Sequence, residues 1–310
     1  MIPPAVALAL GLVVAWSVLT VAMRATLNGF GFEPWSLALT IQVMGGAALL
    51  FAAGIRSLPL DPIRRWATWV IGGLRVLTTC CFTNALLHAS AGQVSQLTTI
   101  NVLLATAGAL LLFGRRRRRA ELPGFLVIAC GLLLLISRLD GGWANPAVAF
   151  VLFSETSVVV ASLLAEKHPD NPGTRRQRLA LTGFVTLLSA AGLLLAWAVI
   201  GLAAPEIPIG PSAADVAATL SSPWLWLMAF ALGALIRGPA TYVAFDITAR
   251  LGADGYMLGM SAMPLLVMAL EPAVAAFGLL PPLHTTAADF AVAGLILAGG
   301  AWIIIARNRR

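Results

Sequence analysis

Residues Ile71-Gly72-Gly73-Leu74-Arg75-Val76-Leu77 put a guanidinium in the middle of an apolar run, and Gly233-Ala234-Leu235-Ile236-Arg237-Gly238-Pro239 do so again in the second half of the chain. A charge at bilayer depth costs at least ~2.5–3.5 kcal/mol on the most lenient insertion scale, so it needs a partner, water or a ligand. Two such costs at matching places point to an internal duplication that keeps a polar site within a membrane.

Working outward from these runs, similar apolar stretches recur along all 310 residues. The chain is 59% hydrophobic and 11% charged, with a mean hydropathy of +0.91. That leaves too little polar surface to cover a soluble domain. Stretches of about 20 residues suffice to cross a ~30 Å hydrocarbon core. Ten are read: 3–23, 34–55, 66–87, 92–113, 122–138, 145–166, 179–201, 222–249, 253–279 and 286–306. The fold class expected is an all-α membrane protein of ten transmembrane helices, lodged in the lipid bilayer. Met1 to Met23 lacks a basic leader region and reads as a retained helix.

The net charge of +7 does not point to nucleic acid. Nineteen of the 20 basic residues are arginine, and most fall in short connections. With the N-terminus in the cytoplasm, sixteen basic residues lie on the inner side: Arg56, Arg64, Arg65, Arg115 to Arg119, Lys167, Arg175, Arg176, Arg178, Arg250, Arg307, Arg309 and Arg310. The outer side holds only Arg24 and Arg138. This bias predicts both termini in the cytoplasm of a bacterial cell, the chain sitting in its inner membrane. Cys80, Cys81 and Cys130 lie inside apolar runs and read as small apolar fillers.

The duplication has three ordered signs. Pro4-Ala5-Val6-Ala7 opens span 1 and Pro146-Ala147-Val148-Ala149 opens span 6; Arg75 and Arg237 lie within spans 3 and 8; Gly124 to Ile128 in span 5 faces Gly294 to Ala298 in span 10. The halves are residues 1–140 and 141–310. Five spans per half is odd, so the second half enters the membrane from the opposite side. Such inverted repeats hold their site between the halves, near the midplane.

Four ionisable residues fall within the spans: Arg75, Glu155, Arg237 and Glu271. Glu155 is level with both arginines and able to pair with either. Glu155 and Glu271 are the proton-coupling candidates. Glu271 precedes Pro272 and is equally suited to capping a helix break. Kinks are expected at Pro239, Pro264 and Pro272, where a backbone donor is missing. In span 4, Gln96 and Asn101 belong to a polar group suited to lining an aqueous path. Gly255 and Gly259 form a GxxxG pattern of the kind that packs helices closely. Tyr256 and the mid-span Trp16 complete the binding candidates. His88, His168 and His284 are scattered at span ends without metal-ligand spacing, and no phosphate-binding loop appears. No metal, cofactor or enzyme activity is therefore expected.

Leu270-Glu271-Pro272-Ala273-Val274-Ala275-Ala276-Phe277-Gly278, with the run from Asp289 to Gly300, resembles the end of the second repeat in the EamA-type permeases of the drug/metabolite transporter superfamily, with some likeness to the threonine/homoserine exporter branch. Pro281-Pro282-Leu283-His284 stands where that family usually has a Gly-Glu pair. The first half departs too: Arg115 and its neighbours replace the matching pair, and Asn101 or Val102 stands where proline is common. The resemblance implies a central cavity between helices 1, 3, 4, 6, 8 and 9. It also implies movement of an amino acid or another small metabolite without ATP. The expected activity is secondary transport, as export, of a carboxylate-bearing or zwitterionic metabolite, with a proton or another ion as coupling partner. The assembly expected is a monomer or homodimer. The alternatives are an importer or exchanger of a vitamin, nucleoside-like or larger metabolite, and a membrane enzyme acting on a lipid-linked substrate.

Overall fold

A computed structural model describes residues 4–55, 58–115, 118–203, 212–280 and 286–308. Arg56, Arg116, Arg117, Arg309, Arg310 and the Pro281 to His284 segment lie outside the described residues. The chain is 88% helical with no strand among the described residues. Its helices are α1 (Pro4–Phe30), α2 (Pro34–Ala53), α3 (Trp66–His88), α4 (Ala91–Leu97), α5 (Ile100–Phe113), α6 (Leu122–Arg138) and α7 (Pro146–Lys167). They continue as α8 (Arg175–Ala203), α9 (Ala213–Ser221), α10 (Pro223–Met228), α11 (Gly238–Gly259), α12 (Met263–Ala276) and α13 (Ala287–Asn308).

Among the described residues, nine helical stretches are long and apolar enough to cross a membrane. One of them, Pro223–Ala276, is 54 residues long, which at 1.5 Å per residue is more than twice a bilayer core. It reverses at Gly252, whose φ of +79° and ψ of 164° break the helix in a conformation that favours glycine. The stretch is therefore long enough to cross twice, which gives ten crossings among the described residues. Near one end of the molecule the Glu33 amide donates to the Thr219 hydroxyl, just ahead of this stretch, while at the other end the Ala253 amide donates to the Glu166 carboxylate.

The long helices pack in exchanged pairs. α2 lies against α8 and α6 against α13; α3 packs on α7 much as the segment before α11 packs on α1, and α5 on α7 as α12 on α1. Glycines bring some of these backbones together. A Cβ at Gly46 would sit 2.6 Å from the Leu187 amide, and one at Gly299 would sit 2.8 Å from the Gly124 carbonyl. The Gly255/Gly259 pattern forms no such seam: Gly255 faces only Leu251 of its own helix, and Gly259 has no neighbour within 4 Å.

Two irregularities separate the helices from the spans read in sequence. Span 4 is broken at Thr98–Thr99, between α4 and α5. There Ser95, Thr98 and Thr99 each donate a hydroxyl to the carbonyl three residues back, a local bond that competes with regular helix. Span 8 contains a π-helical stretch, Ala229–Arg237, just ahead of Pro239. Gly72 packs against Val185 of α8, and its counterpart Gly233 packs against Met44 of α2, each with a Cβ-to-be 3.0 Å from its neighbour. Arg75 follows Gly72 by three residues and Arg237 follows Gly233 by four. The wider π turn takes up the extra residue. Of the expected proline kinks, Pro264 instead sits in the first turn of α12, where proline fits, and Pro272 lies inside that helix.

Candidate functional site

Arg75 reaches the interior from the middle of α3, Glu155 from α7, Asn101 from the first turn of α5, and Arg237 from the end of the π stretch. With Trp16 of α1 and Tyr256 of α11 they line one cavity. Both arginines are buried, Arg75 5% and Arg237 6% exposed. Arg237 donates to the Thr79 hydroxyl. Thr79 in turn donates to the Arg75 carbonyl, 2.9 Å away, which also accepts from Gln42 at 3.1 Å. The two halves are thus joined by polar contacts at the level of the arginines. Each guanidinium also faces a ring, Arg75 over Phe245 at 5.2 Å and Arg237 over Trp16 at 5.5 Å.

Glu155 pairs with neither arginine, contrary to the sequence expectation. Its Oε2 accepts from Asn101 at 2.8 Å and its Oε1 lies 3.2 Å from the Ser154 hydroxyl. The break between α4 and α5 starts a new helix at Ile100, so Asn101 projects toward α7 from a first turn. Gln96, on the other side of that break, is turned away from the cavity. Its amide lies 2.9 Å from Met268 Sδ and 3.4 Å from the Asp289 carbonyl. Glu271 is likewise remote: it pairs with Arg24 and accepts from the amides of Ala91 and Gly92 at 2.7 and 2.9 Å. It satisfies the first N–H groups of α4, which a helix start leaves open.

The cavity has a second wall that sequence reasoning did not single out. Met23, Met257, Met260, Met263 and Phe82 line it, with Thr20, Thr78 and Thr79; Thr98, from the polar group of span 4 read as lining a path, lies there too. One signal was available: Arg-x-x-x-Thr occurs at Arg75/Thr79 and again at Arg237/Thr241, and each threonine donates to its arginine's carbonyl. The lining runs from the arginines toward the Arg24 end of the molecule. Toward the opposite end it is stopped by packed apolar side chains, among them Leu12, Ala109, Leu163 and Ile247.

Beyond that plug lies a network of charges. Arg115 pairs with Glu166 and Asp254, and Arg307 with Glu121 and Asp254. The Glu166 carboxylate holds the Arg115 guanidinium protonated to higher pH than usual. Nearby, His168 lies 3.1 Å from Thr68 and 3.7 Å from Asp170, which also pairs with Arg65. Burial lowers the His168 pKa. No cluster of metal-ligating side chains occurs among the described residues. His88 stacks on Phe150, and His284 lies outside the described residues.

The comparisons add three findings. A solved crystal structure 23% identical to this chain aligns over 99% of both chains with a TM-score of 0.63, which shows a shared fold. No curated protein matches. The model of the EamA-like transporter family matches residues 3–137, from the start of α1 to the end of α6 and including Arg75 and Asn101. Over those residues the chain is similar to the EamA-like transporters, the family that the Glu271-Pro272 stretch also resembles.

Proposed function

We propose that this chain is a secondary transporter that moves a small carboxylate-bearing metabolite across the bacterial inner membrane by alternating access, in the direction of export. Residues 1–140 and 141–310 act as inverted repeats, both termini are cytoplasmic, and the substrate sits between the halves. The observation that carries the reading is the meeting of Arg75 and Arg237, one from each half, on a single cavity. A buried cation without a carboxylate partner is costly, and a substrate carboxylate would relieve that cost in the loaded state. The paired packing of α2 with α8 and α6 with α13 supports the repeat.

Arg75 and Arg237 receive the carboxylate, and Tyr256, beside Arg75, orients it. Trp16 backs the Arg237 guanidinium. Glu155, held by Asn101 and Ser154, is the group that takes up or releases a coupling proton. Gln96 and Glu271 support the helices around the cavity rather than touching substrate.

The test is counterflow and uptake in proteoliposomes with Arg75→Gln and Arg237→Gln. Both variants should remain monodisperse and lose transport. Wild-type rates in both would refute the assignment.

A further inference from the structure

We infer that the substrate is an organic acid anion with an apolar body and no ammonium group, rather than an amino acid. This rests on the carrier reading above and narrows it. Three buried donor atoms on the cavity residues find no acceptor in the protein: Arg75 Nε, Arg237 Nε and Trp16 Nε1. They belong to the two arginines and to the ring that faces one of them. The wall thus has a surplus of donors, and a ligand that fits it brings acceptors.

The charge count leads the same way. Arg75, Arg237 and Glu155 are the charged groups on the lining. With Glu155 ionised the cavity carries one net positive charge, and a monoanion brings it to neutrality. A zwitterion leaves that charge in place and adds an ammonium near two guanidiniums. The one carboxylate able to receive an ammonium already accepts from Asn101 and lies against Ser154. The other oxygens within reach are neutral hydroxyls such as Thr20, Thr78 and Thr98, which offset little of the repulsion between like charges at low dielectric. The rest of the ligand meets Met23, Met257, Met260, Met263, Leu19 and Phe82. Flexible thioethers adapt to aliphatic or aromatic bodies of different outline.

The experiment compares ligands that share one body: phenylpyruvate, phenylalanine and phenethylamine, with 4-methyl-2-oxopentanoate and leucine as an aliphatic pair. Binding to the purified protein is read by thermal shift, and movement by counterflow in proteoliposomes. The oxo acids should bind at least about tenfold more tightly than the matching amino acids. In Arg75→Gln, which lowers the cavity charge by one, that preference should shrink toward unity; a merely structural role for Arg75 would leave the ratio unchanged. Amino acids that bind as well as or better than their oxo acids would overturn this inference and leave the carrier reading standing. Binding of phenethylamine alone, or of none of the five, would overturn both.

Discussion

The arginines near the ends of this molecule and the two at its centre are held by different chemistry. Arg24, Arg65, Arg115, Arg138, Arg178, Arg250 and Arg307 each pair with a carboxylate. Arg75 and Arg237, far more deeply placed than most of these, pair with none; rings, a threonine hydroxyl and each other's neighbourhood surround them. A charge in its ion pair holds elements together. A buried charge left open to a cavity is poised for something that enters. The peripheral pairs also differ among themselves, because Arg115 keeps 35% of its side chain exposed while Arg24 keeps 12%, so solvent weakens the former.

The sharpest way to break this contrast is to neutralise a central arginine. Arg237→Gln should lower the transport rate by about 100-fold, the order expected when a buried hydrogen-bonded charge is lost from a binding contact. Its melting temperature in detergent should stay level or rise, because the substitution removes a buried charge that no carboxylate offsets. A large fall in melting temperature would move Arg237 into the structural class. Asp254→Asn should behave in the opposite sense. It weakens the contacts of both Arg115 and Arg307 and should reduce stability by on the order of 1 kcal/mol, read as a lower melting temperature that high salt makes smaller. Unchanged stability would show that the network contributes nothing net.

The smallest expected effect concerns pH. Burial lowers the His168 pKa from its ordinary value of 6.5, so the unfolded chain binds this proton more readily than the folded one. Stability from this group is intact above that ordinary value and declines as pH falls below it. Melting temperature should therefore drop between pH 7.5 and 5.5, and His168→Gln should flatten the decline. An identical decline in the variant would assign the effect to other groups.

Much of this architecture is legible in the chain. Apolar runs of fixed length mark the crossings, and Arg75, Arg237 and Glu155 stand out because the membrane makes each of them expensive. The broken span 4 was harder to read. Its threonines look equally suited to a helix and to the local hydroxyl bonds that interrupt one, and packing decided between them. That break separates Asn101, on the cavity, from Gln96, which is turned against Met268. The partner of Glu271 was also hidden, since Arg24 is 247 residues away and looked like a loop residue until α1 continued to Phe30. The methionine wall gave no signal because an apolar residue on a membrane helix looks the same whether it faces lipid, a neighbour or a void.

The π stretch from Ala229 to Arg237 makes chain length there as informative as residue type. Removing one residue upstream of Arg237 would leave a sequence fully able to form ordinary helix, yet the guanidinium would swing by about 100° relative to the glycine anchored on α2. Substitutions that preserve apolarity are cheap in this segment. A one-residue deletion would build a sound helix that aims its charge at the wrong neighbour.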